Sequence, residues 1–567
     1  MDDRRIDPEE LSELQQERIR TTVQAYMQED TDFTDVDLRN GQVLYDPMRD
    51  GSTGWSREQP YPQQTPQGPA EPGFKPPGGE PPTPPPVPVS AEKPDDDQKK
   101  LKRDILIATY LFVALFIGAI VYLGYFYMNK ADGYKSSSYN SKRQSIYTAR
   151  YQRGDIFSAD GVLLATSLVD QDNVQTRSYP LGRQYAHVVG YSTRGSSAAE
   201  SLASSYLTTA HINPLEVAKN ELTGTLTHGD NAYLTVRSDL QKAAYRALGD
   251  NRGAIVVLEV RTGKILAMVS KPDFDPNTIA EDWDKLVQDD TSSVLVNRAT
   301  QGKYPPGSTF KLITALEFMR EDPNAAEQFE FVCDSEYEDG EYTIRCSKGI
   351  SHGEVSLKKA FAKSCNGAFA LIGSELDTGK LYDLCEEFGY NQDFSIGLVY
   401  SRSNYSLKDD TSRWEVLQTS IGQGKTLTTP VFNCMIAAAV ANDGVMVTPY
   451  VMDRIENTYG TTVKTYESSG SRRIMSAAEA KEMQQLMRAV VTEGTGDDAQ
   501  GEGYTVAGKT GSAEWAKGKD THAWFMGYAP YEDPEVAICV LIEEGGSGGS
   551  AAAPAARSVL DEYFKNN

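Results

Sequence analysis

Three short stretches of the chain carry side chains that could cooperate on a carbonyl group. In YPPGSTFKLITALEFM, residues 304–319, Pro305 and Pro306 end an extended approach and Gly307 gives way to an apolar-periodic helix, so Ser308 falls at or near a helix N-terminus. A serine hydroxyl is a weak nucleophile until a base takes its proton, and Lys311, three residues on, shares that helical face. Amides at a helix start carry partial positive charge, which favours the anion formed when Ser308 attacks a carbonyl. The apolar surroundings favour a neutral Lys311. Taken alone, S-x-x-K says little, because serine at a helix start is usually just an N-cap.

Ser364-Cys365-Asn366 follows an apparently helical AFAK and offers a hydroxyl and a carboxamide flanking a side chain that points away. By itself it is an ordinary polar turn. AGKTGSAE, residues 507–514, reads as a strand bearing Lys509, Thr510, Gly511 and Ser512. Here Thr510 and Ser512 face one side, and the glycine permits close backbone approach. In this order the three stretches form the set expected of serine acyltransferases that act on penicillin, and it is their conjunction that points to acyl transfer.

The elements around them must bring together residues some two hundred positions apart. GAIVVLEVRTGKILAMVS, residues 253–270, reads as two strands joined at Thr262-Gly263, while 357–376 and 477–492 read as helices. Strands at both ends of a helical middle predict an α+β fold with an antiparallel sheet flanked by helices, not a doubly wound parallel one.

Composition narrows the class. At 567 residues with 39% apolar content, the chain can bury at least one large core. A formal charge of -24 argues against a sequence-independent grip on nucleic acid. The six cysteines, at 333, 346, 365, 385, 434 and 539, lack the close pairing of a zinc site, and the five histidines form no HExxH pair, so no metal and no cofactor is implied.

Residues 105–128 carry no charge and exceed the roughly 20 needed for a transmembrane helix. About a hundred residues precede this run, which fits a cleaved signal peptide badly. Lys99, Lys100, Lys102 and Arg103 at its start place residues 1–104 in the cytoplasm by the positive-inside rule, although Lys130, Lys135, Lys142 and Arg143 follow it. Within 1–104, residues 8–27 read as a small docking helix, and 51–98 as a Pro-rich disordered or polyproline II spacer. Beyond the span, 129–234 reads as a small extracytoplasmic stalk or dimerisation-like domain and 235–567 as the catalytic domain.

At this point the chain resembles the class B penicillin-binding proteins, monofunctional D,D-transpeptidases of bacterial cell-wall synthesis. RGDIFSADGVLLA (153–165) is similar to the membrane-proximal motif of that family. DNAYLTVRSDLQKAAYRAL, NRATQGKYPPGSTFK, SIGQGKTLTTP, EGTG and HAWFMGYAP are similar to its transpeptidase domain. The compact stalk is similar to that of the penicillin-binding protein A group. The resemblance implies that Ser308 attacks the carbonyl between the terminal D-alanines of a stem peptide and that a second stem's amine resolves the acyl-enzyme. It makes Lys311 the acylation base, Ser364 a proton relay and Asn366 a ligand of the substrate amide. Lys509 would supply positive potential, Thr510 and Ser512 would bind the terminal carboxylate, and the backbone N–H groups of Ser308 and Ser512 would form the oxyanion hole. β-Lactams would acylate Ser308. The region between span and catalytic domain is too small for a glycosyltransferase, so the resemblance also implies a RodA/FtsW-like partner among the cell-wall machinery. Cys365 stands where class A β-lactamases carry Asp, which argues against a secreted antibiotic hydrolase. The alternatives are a D,D-carboxypeptidase, or a non-catalytic β-lactam sensor or divisome scaffold.

Residues 329–346 read as two strands around an Asp339-Gly340 turn. That register pairs Glu338 with Glu341 and Tyr337 with Tyr342, and sets Cys333 opposite Cys346 at a non-hydrogen-bonded position, which predicts a disulfide between them, with two free thiols as the alternative.

Overall fold

A computed structural model of the chain describes residues 96–129 and 151–565, apart from 290 and 408–410. The expected docking helix at 8–27 lies outside the described residues, as does the Pro-rich tract apart from the Asp96–Gln98 start of the first helix. Helix α1 spans Asp96–Asn129, and its apolar part, Lys99–Phe126, has a mean hydropathy of 2.5 over its best window. At about 1.5 Å per residue it is long enough to cross a hydrocarbon layer of about 30 Å. Its one threonine is satisfied within the helix, since Thr109 Oγ1 donates to the Ile105 carbonyl at 2.8 Å.

The remaining described residues build two large sheets and four two-stranded ones. The first runs in the order Thr462–Thr465, Met452–Glu456, Asn231–Leu234, Ile156–Phe157, Leu163–Val169, Gln175–Ser178. Its first two strands come from far along the chain, so this sheet draws on both sides of the expected division at 234/235. The Arg153 of the RGD stretch is an anchor of this domain: with Arg177 it encloses Glu200, at 2.7 Å and 2.6 Å respectively. Burial alone would raise the Glu200 pKa, but the two guanidiniums overcome that penalty and hold it below the usual carboxylate range.

The second sheet is antiparallel and is formed by β1 (Gly253–Glu259), β2 (Ile265–Lys271), β3 (Ala507–Ala513), β4 (His522–Ala529) and β5 (Val536–Ile542), in the order β3-β4-β5-β1-β2. Both faces are covered, so its strands are apolar almost throughout. Ile255 and Val257 pack with Leu240, Ala244 and Leu560 in one core. Val256 and Leu258 point the other way, into the core that holds Phe310, Leu312 and Phe432. Helices α2 (Ser238–Leu248) and α8 (Ala553–Lys565) lie against the first face. On the second, α6 (Pro430–Ala441) and α7 (Ala477–Thr492) pack on the sheet, and α3 (Lys311–Glu321), α4 (Leu357–Ala362) and α5 (Asn366–Glu375) add side chains to the same core. The β1–β2 hairpin and α7 fall where the sequence puts them. Ser476 and Glu479 close a reciprocal capping box at the start of α7.

Two local expectations are corrected. Residues 357–376 are two helices, α4 and α5, because Ser364 adopts φ +57, which no continuous helix accommodates. The hairpin turn also sits one residue later than expected, which moves each cross-strand partner by two. Glu338 pairs with Thr343, Tyr337 with Ile344 and Asp339 with Tyr342, so the turn is Gly340-Glu341. Gly340 takes the first turn position at φ +62, a conformation glycine adopts without the steric cost an aspartate would bear there. Consequently Cys346 does not face Cys333 across this ladder; Cys333 pairs with Gly353 in a neighbouring two-stranded sheet.

Candidate active site

Ser308 lies in a single 3-10 turn, Gly307–Thr309, immediately before α3, and its side chain is half-buried. The turn is fixed from both ends. Thr309 Oγ1 donates to the Pro306 carbonyl at 2.7 Å, and the Phe310 N–H donates to the Gly307 carbonyl at 3.0 Å. Ahead of it, Trp524 Nε1 on β4 donates to the Pro305 carbonyl at 3.0 Å. Gly307 packs so closely on β3 that an added Cβ would lie 3.1 Å from the Ser512 carbonyl carbon and oxygen. The Ser308 turn therefore abuts the KTG strand.

Lys311 is fully buried one turn along. Its ammonium donates to Asn366 Oδ1 at 2.7 Å, to the Ser364 carbonyl at 2.8 Å and to Ser364 Oγ at 3.4 Å. From the opposite side Lys509 Nζ donates to the same Ser364 hydroxyl at 3.0 Å and to the Thr510 carbonyl at 3.0 Å. The left-handed backbone at Ser364 presents that hydroxyl to both amines, which is the local reason the helix breaks there. Three stretches far apart in the chain thus meet at one oxygen.

Two buried lysines sharing one partner cannot both hold a proton cheaply. Burial pushes Lys311 down to about 8. Burial first, and then the nearby Lys311 charge, push Lys509 well below the ordinary lysine range. Phe369 and Phe361 lie beneath the two amines, at 5.4 Å and 5.5 Å from the ring centroids. On β3, Thr510 Oγ1 hydrogen-bonds Thr495 Oγ1 at 2.5 Å, while half-buried Ser512 accepts from the Gly548 N–H at 3.3 Å. Gly511 has no room for a side chain, since a Cβ would lie 3.1 Å from the Pro306 carbonyl oxygen.

Comparison with known proteins fits this geometry. A sequence signature described as the penicillin binding protein transpeptidase domain matches residues 253–561, and one described as the penicillin binding protein A dimerisation domain matches 153–232. The chain belongs to the penicillin-binding protein transpeptidases. Among relatives of this family, peptidoglycan D,D-transpeptidase PbpA of Mycolicibacterium smegmatis is 34% identical over 76% of this chain and 92% of its own length. Penicillin-binding protein A of M. tuberculosis, solved as a ceftriaxone acyl-enzyme complex, superposes with a TM-score of 0.67 at 30% identity, covering 74% of this chain and 99% of that one. The D,D-transpeptidase domain of a peptidoglycan glycosyltransferase from Eggerthella lenta gives a TM-score of 0.67 at 32% identity over 74% of this chain and 99% of that one.

Other residues that build this site carried no assigned role in the sequence. Gly422, in the SIGQGKT stretch, receives the Gly307 N–H on its carbonyl at 2.9 Å and sits at φ +83 directly on the turn that bears Ser308. Glu543 accepts from Tyr304 Oη at 2.7 Å, Arg298 Nε at 2.8 Å and Arg252 Nε at 3.0 Å, tying the approach to Ser308 onto the end of β5. Spacing gives no signal for Glu543, which acts through a fold-made contact. Cys333 and Cys346 are free thiols with their sulfurs 3.6 Å apart.

Proposed function

We propose that the chain is a membrane-anchored peptidoglycan D,D-transpeptidase that cross-links stem peptides through an acyl-enzyme on Ser308 and is inhibited by β-lactams. The observation that carries this reading is the Ser364 hydroxyl held between the amines of Lys311 and Lys509, at 3.4 Å and 3.0 Å, beside the turn that bears Ser308. A neutral Lys311 takes the Ser308 proton as the hydroxyl attacks the carbonyl between the two D-alanines. Ser364, in contact with both amines, relays a proton to the departing D-alanine amine. The carbonyl oxygen becomes an oxyanion between the backbone N–H groups of Ser308 and Ser512. Asn366 binds the substrate amide, and Lys509, Thr510 and Ser512 receive the terminal carboxylate, with Gly511 letting it approach the strand. Attack by a second stem's amine then releases Ser308 and forms the cross-link.

Helix α1 anchors the chain, with residues 1–104 cytoplasmic and the stalk and catalytic domains, 129–234 and 235–567, outside. Glycan strands for cross-linking come from a RodA/FtsW-like glycosyltransferase. The M. tuberculosis acyl-enzyme complex supports the β-lactam reading, because that protein shares this fold and is acylated by ceftriaxone.

Two measurements test the chemistry. Incubating the full-length protein with lipid-linked pentapeptide precursor and a glycan polymerase is expected to yield cross-linked muropeptide dimers that penicillin suppresses. Release of D-alanine without dimers would show a carboxypeptidase instead. Acylation by a fluorescent penicillin should rise with pH and level off above about 8. Lys311 is protonated below that value and cannot serve as base, so each unit below it costs about tenfold. A rate independent of pH between 6 and 8 would remove Lys311 from the base role.

A further inference from the structure

Four side chains with metal-binding donors, none of them used in the chemistry above, meet immediately behind the middle motif. Cys333 ends a strand (Glu330–Cys333), Cys346 follows another (Tyr342–Arg345), His352 precedes a third (Gly353–Ser356), and Cys365 lies between Ser364 and Asn366. Their donor atoms all lie within 4.8 Å of one another. Cys333 Sγ is 3.6 Å from Cys346 Sγ and 3.4 Å from His352 Nδ1, and Cys346 Sγ is 3.8 Å from Cys365 Sγ. The three cysteines are buried and the histidine is half-buried.

We infer that these four residues form a structural zinc site of the Cys3His type. A tetrahedral zinc with Zn–S arms of ~2.3 Å and a Zn–N arm of ~2.0 Å requires S···S edges of about 3.8 Å and S···N edges of about 3.5 Å. The three contacts have those lengths. A disulfide would need two sulfurs at about 2.05 Å and would leave Cys365 and His352 converging on it without purpose. Three thiolates and an imidazole are the soft donor set that selects zinc over magnesium or calcium.

Hydrogen bonds from neighbouring groups hold two of these cysteines in place. Cys365 Sγ accepts from the Ala368 N–H at 3.4 Å. Ser351 Oγ donates to the Cys333 carbonyl at 2.7 Å and fixes the loop that brings in His352. On binding, the three thiols each release a proton to water and neutral His352 donates a lone pair, so Zn2+ enters with the loss of three protons and leaves a site of net charge −1.

Position gives the site a consequence, which rests on the reading of Ser364 and Asn366 under Proposed function. Cys365 separates the hydroxyl that meets both lysines from the amide that meets Lys311, so an ion on its sulfur would pin the middle motif. Zinc would act as a positioning element and take no part in the reaction.

Full-length protein purified in detergent without chelator is expected to contain about one zinc per chain by mass spectrometric metal analysis. Replacing zinc with cobalt is expected to give the intense sulfur-to-cobalt charge-transfer band and the visible bands of a tetrahedral thiolate site. Cys346→Ser and His352→Ala should each lower the metal content at least tenfold, and removal of zinc from the wild type should slow penicillin acylation. The cobalt spectrum is read on the wild type, so it stands even where a variant fails to fold. Ser308→Ala should keep its zinc while losing penicillin labelling, which separates failure of this inference from failure of the catalytic one. Reduced wild-type protein that takes up neither zinc nor cobalt would overturn it. So would a Cys333–Cys346 disulfide, found by peptide mass mapping without reduction in protein taken directly from membranes.

Discussion

Ser308→Ala is expected to abolish covalent labelling by a fluorescent penicillin, and Lys311→Met to slow it by about 10²–10⁴-fold, the range a positioned general base contributes. The two changes differ in kind. The first removes the atom that becomes bonded to the acyl group, so no concentration or time of exposure restores labelling. The second leaves Ser308 in its turn and Lys509 beside Ser364, so residual acylation persists with its dependence on pH near 8 lost. Lys311→Met also leaves Asn366 Oδ1 and the Ser364 carbonyl without their donor, which costs about 1–3 kcal/mol of stability, partly offset by no longer burying an amine. A thermal melt beside the labelling assay therefore separates the catalytic loss from unfolding. Equal labelling of wild type and Ser308→Ala would place the nucleophile elsewhere.

Much of this arrangement was legible in the chain because it is written in side chains. An uncharged run at 105–128, two apolar strand-like runs joined at Thr262-Gly263 and the polar motifs carry their own local signals, and the structure puts the helix, the two strands, the turn before α3 and the KTG strand where the pattern puts them. What was hidden is made by backbone conformation and by distance. The helix expected at 357–376 breaks because Ser364 turns to φ +57 to meet two lysines, one of them 145 residues away. The turn of the hairpin at Glu336–Arg345 falls one residue later, and its register two, because either Asp339-Gly340 or Gly340-Glu341 makes an acceptable two-residue turn, and pattern alone does not rank them. The Cys333, Cys346, His352 and Cys365 cluster shows no close C-x-x-C pair, since its ligands arrive from four elements 13, 6 and 13 residues apart. A motif search sees spacing; only the fold supplies convergence.

Gly422 shows the same limit most sharply, and it carries the second large effect. It has no side chain to read, yet a Cβ placed on it would lie 1.7 Å from the Gly307 carbonyl oxygen and 2.4 Å from its carbonyl carbon, both backbone atoms of the turn that presents Ser308. Neither can swing aside as a flexible side chain would. Gly422→Ala is therefore expected to displace the nucleophile turn, and a shift of ~1 Å in a reacting group costs on the order of 10²-fold in rate. The positive φ of +83 adds strain of about 1–3 kcal/mol for any L side chain. Gly424 separates the two contributions. Its φ is +85, but a Cβ there would meet only Thr419 Oγ1 at 3.5 Å and Gln418 Cβ at 3.7 Å, which is ordinary contact. Gly424→Ala should thus melt earlier by a similar backbone term and still be acylated at nearly the wild-type rate. If the two variants lost acylation equally, strain in the loop rather than pressure on Gly307 would be what Gly422 relieves.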